Sequence, residues 1–94
     1  AVEVAHDAGV AAFVGGMLEL GVGRATSAAV AAMQGCSLPT DLGPSARYVE
    51  RDVTDPVVVD ADGRLVVPHG SGCGRAPLPD VLAACTVDEV TLER

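Results

Sequence analysis

The chain has no lysine and no tryptophan, and its only aromatic residues are Phe13 and Tyr48. Without lysine there is no ε-amino group here to serve as a base or to form a Schiff base. The six arginines are scattered among thirteen acids, for a net charge of -7 and a pI of about 4.4. That balance excludes nucleic-acid backbone binding, which needs clustered Lys and Arg. No apolar run approaches the ~18 residues of a membrane span, and no basic segment precedes an apolar one at the start, as a signal peptide requires. Cys36, Cys73 and Cys85 are odd in number and widely spaced, with no C-x-x-C pair. This spacing disfavours a zinc site and favours buried free thiols in a reducing cytoplasm. Hydrophobic residues make up 49% of the 94 positions, so the core is built from Ala, Val and Leu. Small side chains bury little area each, at roughly 25 cal/mol per Å², and a free-standing domain of this composition is marginal.

What is present centres on Val14 to Arg24, Val-Gly-Gly-Met-Leu-Glu-Leu-Gly-Val-Gly-Arg. The apolar run Val10–Val14 enters it and the alanine-rich run Arg24–Met33 leaves it. This order predicts strand, glycine-rich loop, helix, and in α/β proteins such loops at strand ends carry ligands. Before it, Ala1–Ala8 reads as a short helix with Gly9 at its C-cap. That helix has no N-cap residue, which points to a part of the chain upstream. After it, Gly35 reads as a second C-cap, Cys36–Leu38 as a short strand stopped by Pro39, and Pro44–Tyr48 as a turn entering a short helix. The helix Arg24–Met33 has almost no polar face and is expected to be largely covered. Asp60-Ala61-Asp62-Gly63 between Val57–Val59 and Arg64–Val67 predicts a hairpin. Pro68–Gly74 is a glycine-rich connector, Val81–Cys85 a short helix and Val87–Leu92 a last strand.

The chemistry-bearing residues are few. Gly21-x-Gly23-x-x-Thr26 at a helix start could hold a phosphate, but no Gly-Lys-Ser/Thr follows; glycines that let a loop turn are the plainer reading. Glu19 is the one carboxylate in the loop, suited to acid–base work, to orienting backbone amides or to pairing with Arg24. Met17 suits either packing or the lining of an apolar pocket. Asp41 reads as a turn former before it reads as a catalyst. His6 and Asp7 lie at a helix end away from the loop, and Cys73 has no base beside it. There is no nucleophile with a base and no trio of acids at strand-end spacing.

Three stretches together resemble a known family. Gly15-Gly16-Met17-Leu18-Glu19-Leu20-Gly21-Val22-Gly23-Arg24-Ala25, Leu38-Pro39-Thr40-Asp41 with Ser45-Ala46-Arg47-Tyr48 and Asp52-Val53, and Pro68, Gly70, Gly72 and Gly74 are similar to the end of an enolase-superfamily enzyme. The subgroup is the muconate-lactonizing one, and within it the o-succinylbenzoate synthase / N-acylamino acid racemase family. Thr40 departs from the glycine usual there, and Ala12-Phe13-Val14 from the preceding Pro-Val-Trp-Cys type. The resemblance implies an α/β fold, the C-terminal βα units of a (β/α)7β TIM-like barrel. Residues 1–53 would hold strands seven and eight, and residues 54–94 a hairpin and tail returning to an α+β capping domain. It implies a Mg²⁺-dependent enzyme that removes a proton α to a carboxylate through an enediolate, on the path to menaquinone. The metal ligands and catalytic lysines of the family would lie upstream, so no catalytic or metal-binding residue is assigned here. Gly15, Gly16, Met17 and Leu38 are expected to line the substrate pocket. A racemase, dipeptide epimerase or cycloisomerase is the alternative, and a small acidic anion-binding domain is the rival of another class. The expected partners are a small carboxylate substrate and the remaining barrel and capping domain, with homo-oligomerisation left open.

Overall fold

A computed structural model describes residues 1–93. Helix α1 spans Val2–Asp7. It ends as Gly9 implies: Gly9 takes φ +67°, its N–H donates to the His6 carbonyl at 3.0 Å, and that of Val10 donates to Ala5 at 2.8 Å. These two bonds satisfy carbonyls that a helix end would otherwise leave bare.

The expected strands Val10–Val14 and Cys36–Leu38 are not formed as a regular ladder. Among the described residues the only bridge is the antiparallel Val59–Leu65 pair. The two segments run side by side through one backbone bond, Leu38 N–H to the Ala12 carbonyl at 3.0 Å. Residues 11–17 still alternate as a strand does: Ala12, Val14 and Gly16 are half-buried, while Ala11, Phe13, Gly15 and Met17 are exposed. A segment paired on one side only leaves half of its backbone groups without a ladder partner.

Helix α2 spans Gly21–Ala31, starting three residues earlier than the alanine pattern predicts. Its buried face is Gly21, Arg24, Ala25 and Ala28, the i, i+3, i+4, i+7 stripe of an amphipathic helix. The expectation of a largely covered helix fails at Ala29 and, past the helix end, at Ala32 and Met33, which are exposed. Gly35 is not a left-handed cap. A Cβ there would stand 2.5 Å from Val2 Cγ1, so this glycine lets α1 pass across the turn.

A 3₁₀ turn over Ser45–Arg47 follows Pro44. The hairpin forms where expected but stays short: Gly63 takes φ +79°, and Asp60 Oδ1 accepts the Asp62 and Arg64 N–H groups at 3.0 and 2.8 Å. Helix α3 spans Pro79–Cys85, with Pro79 in its first turn, and Leu78 N–H ties its start to the Val53 carbonyl at 2.7 Å. Arg51 and Asp80 add an ion pair at 2.8 Å, exposed on both sides; such pairs stabilise little. The expected strand Val87–Leu92 does not form. Val87, Val90 and Leu92 are exposed, with no described segment beside them to pair with. The core is small and mixed: Ala25, Ala28, Leu42, Val57 and Val81 are buried with Arg24, Ser45, Asp52 and Thr54.

Candidate functional site

The site is built where residues 12–16 meet residues 38–42. Beyond the Leu38–Ala12 bond, side chains take over the pairing. The Thr40 hydroxyl donates to the Val14 carbonyl at 2.5 Å and accepts the Leu42 N–H at 3.2 Å. Asp41 Oδ1 accepts the Gly16 N–H at 2.8 Å. A Cβ on Gly16 would stand 2.7 Å from Leu42 Cδ2, so any side chain there requires Leu42 to shift. At Gly15 a Cβ would meet only Phe13 and Asp41, at 3.8 and 3.9 Å, which is ordinary contact. Asp41 thus bridges two segments instead of merely forming a turn.

Met17 follows, with 80% of its surface exposed. Its backbone is held from below by Arg24, which is 1% exposed. Arg24 Nη2 donates to the Glu19 carbonyl at 2.9 Å and to the Met17 carbonyl at 3.3 Å. The pairing of Glu19 with Arg24 therefore runs through the Glu19 backbone. Glu19 Oε2 and Arg24 Nε are buried with no partner among the described residues.

The phosphate reading of the α2 N-terminus meets a competitor inside the chain. Asp52, 31 residues away in sequence, accepts the Gly21 N–H at 2.9 Å, the Thr54 N–H at 3.3 Å and the Ser45 hydroxyl. A carboxylate already sits on the first N–H of the helix, where the dipole favours negative charge. Burial pushes the Asp52 pKa up, but hydrogen bonds from Ser45, Gly21, Thr54 and Val53 outweigh it and hold the group below the usual aspartate value. The sequence reading has Asp52 only as part of the family resemblance and misses its role at the helix start, because its partner Gly21 is 31 residues away. The signal was indirect: Leu20, the N-cap of α2, makes no side-chain cap bond, so the helix start needs an acceptor from elsewhere.

Of the four expected pocket residues, Gly15, Gly16 and Met17 follow one another on one extended segment, a wall whose exposed positions are Gly15 and Met17 while Gly16 is half-buried. Leu38 stands on the facing segment and lines an apolar groove of about 350 Å³ with Ala28 and Ala31 of α2, the C-cap residue Ala32 and hairpin residues Gly63–Leu65. His6 lies apart from the wall, in a hollow with Val2 and Gly35. Cys36 is half-buried with its thiol on the Val30 carbonyl at 3.3 Å, whereas Cys73 and Cys85 are exposed, contrary to the expected burial. No group of three or more His, Cys, Asp or Glu side chains is placed to hold a metal among the described residues. No helix among them is long and apolar enough to cross a membrane.

No protein-family model matches the chain. It is 42% identical over 83 residues to an N-succinylamino acid racemase of an Amycolatopsis species, a match covering 88% of the chain and 21% of the relative. It is 39% identical over 72 residues to an o-succinylbenzoate synthase of Geobacillus kaustophilus, covering 77% of the chain and 19% of that protein. Among solved structures, a probable mandelate racemase of Alicyclobacillus acidocaldarius superposes with a TM-score of 0.83 at 39% identity, over 93% of the chain and 23% of the neighbour. An enolase-superfamily member of Listeria innocua superposes at 0.80 and 33% identity, over 88% and 22%. The chain spans about a fifth of the curated relatives it matches.

Proposed function

We propose that this segment, homologous over the portion it spans to enolase-superfamily proteins named N-succinylamino acid racemase and o-succinylbenzoate synthase, supplies the C-terminal βα units of a (β/α)7β barrel enzyme acting on a small carboxylate. Residues 1–53 close the barrel, and residues 54–94 run as hairpin and tail toward the capping domain. The reaction is that of an o-succinylbenzoate synthase-like lyase: a proton leaves the carbon α to a carboxylate and a hydroxyl departs as water, in menaquinone biosynthesis in the cytoplasm. The observation that carries this reading is the Gly15–Arg24 loop, its backbone bonded to Asp41 and Arg24, within a segment 42% identical to a protein of that family.

In this reading the base and acid residues and the Mg²⁺ ligands stand outside the segment. The described residues offer no donor cluster for the ion, so no step here is routed through it. What the segment supplies is shape. Gly15 leaves room for the substrate, Gly16 offers only its backbone because Leu42 occupies the space where a side chain would stand, and Met17 offers an exposed, adaptable thioether against the substrate's apolar part. Leu38 belongs to the proposed lining by its place on the facing segment. Racemisation of an N-succinylamino acid, with the proton returned to the other face, is the second reading; the match to the Amycolatopsis racemase favours it. The dimensions speak against the small independent binding domain. The radius of gyration is 15.5 Å, against about 12 Å for a self-contained domain of this length.

The test is to assay the full-length protein carrying this segment, with Mg²⁺, for formation of o-succinylbenzoate and for racemisation of N-succinylamino acids. Activity in either assay supports the reading, and inactivity in both overturns it. Met17→Ala is expected to raise KM about tenfold with kcat within about threefold, as loss of uniform substrate contact does. Leu38→Ala separates the two grooves: a change in stability at unchanged KM removes Leu38 from the pocket.

A further inference from the structure

We infer that Thr40 and Asp41 are positioning residues that clamp the Gly15–Met17 wall by side-chain hydrogen bonds where the backbone pairing ends. The inference rests on the functional reading above for the role of that wall, and on geometry alone for the clamp.

Between the two segments the backbone supplies one bond, from Leu38 N–H to the Ala12 carbonyl. Two residues further along, the partner of the Val14 carbonyl is a hydroxyl, Thr40 Oγ1, and two further still the partner of the Gly16 N–H is a carboxylate, Asp41 Oδ1. The pairing thus continues with period two, but through side chains. The Thr40 hydroxyl is used in both senses, donating to Val14 and accepting from Leu42, so its orientation is fixed. Leu42 fills the space beside Gly16, where a Cβ would stand 2.7 Å from its Cδ2. The peptides on either side of Gly15 are therefore held from the 40–42 side, while Arg24 holds the Met17 carbonyl from the helix side. A wall pinned at both ends is preorganised for substrate contact, so freeing it weakens binding before it slows the chemistry.

The experiment uses the full-length enzyme with Thr40→Val, Thr40→Ser, Asp41→Ala and Asp41→Asn. Valine keeps the shape of threonine and removes the hydroxyl; serine and asparagine keep the donor and the acceptor. Amide hydrogen exchange is read at Gly16 and Leu42, and KM and kcat are read for both candidate substrates. The expected result is exchange about tenfold faster at Gly16 in Asp41→Ala and at Leu42 in Thr40→Val, since each loses an acceptor. KM rises about tenfold in both, with kcat less affected, and Thr40→Ser and Asp41→Asn stay within about twofold of the parent. Unchanged exchange at both amides overturns the clamp. Faster exchange with unaltered KM overturns its role at the pocket, as does equal damage from the conservative pair. A parent enzyme inactive on both substrates overturns the functional reading and the pocket role with it, while exchange still decides the clamp.

Discussion

A methyl group on Gly21 would stand 1.8 Å from the Thr54 hydroxyl and 3.0 Å from its Cβ. Thr54 is 2% exposed and bonded to the Asp55 carbonyl, so it has little room to yield. Gly21→Ala is therefore expected to destabilise the full-length protein by about 2 kcal/mol, within the usual range for overpacking. The denaturant midpoint reads it, and Thr54→Ala in the same background should recover part of the loss. Gly15 presents the opposite case. Its hypothetical Cβ meets only ordinary contacts, so Gly15→Ala is expected to leave the midpoint within about 0.5 kcal/mol. A rise in KM without loss of stability would then be the signature of a pocket residue. The four loop glycines look alike in sequence. Their reasons differ, because Gly16 and Gly21 answer to Leu42 and Thr54, side chains far along the chain.

Helix α2 owes its start to Asp52. No side chain at Leu20 caps it, and the Gly21 N–H is satisfied from across the fold. The Asp52 pKa is lowered in the folded state, so the folded form binds this proton less readily than the unfolded chain. The stabilisation is fully present above the unfolded aspartate value of about 4 and is lost as pH falls through the lower folded value. Asp52→Asn is expected to flatten the acid limb of the stability–pH curve in that window. Asp52→Ala, which strands the Gly21 and Thr54 N–H groups and the Ser45 hydroxyl, should cost about 2 kcal/mol at pH 7. Thermal melts from pH 2 to 7 check both; an acid limb identical in Asp52→Asn would show that the cap is energetically idle. What sequence reasoning reached at this scale was local. Gly9 as a cap, the Asp60–Gly63 turn and the short helix ending at Cys85 each depend on neighbours within a few residues. The tertiary cap on α2, the Thr40 and Asp41 bonds and the Gly35 crossing depend on pairs 25 to 33 positions apart, and no pattern in one segment announces them.

At the scale of the whole chain, apolar surface is left over. Val10, Phe13, Met17, Leu18 and Met33 are exposed, as is the strand-like edge of residues 11–17 whose backbone has one interstrand bond. Among the described residues only Ala25, Ala28, Leu42, Val57 and Val81 form the buried apolar set, and two of these five are alanines. At roughly 25 cal/mol per Å² such a core gains little against the entropy of ordering the chain. An open edge beside apolar residues is also a template for association. The 94 residues alone are therefore expected to bind a hydrophobic dye, to associate as concentration rises, and to melt without a cooperative transition. Under the proposed function, supplying the barrel portion expected upstream as a separate chain should suppress the dye signal and restore a single melt, because it would offer neighbours to residues 10–17 and to the exposed side of α2. Calorimetry with and without that portion decides it: a sharp, concentration-independent transition for the 94 residues alone would mean that their small mixed core suffices, and the barrel-terminus reading would lose its physical basis.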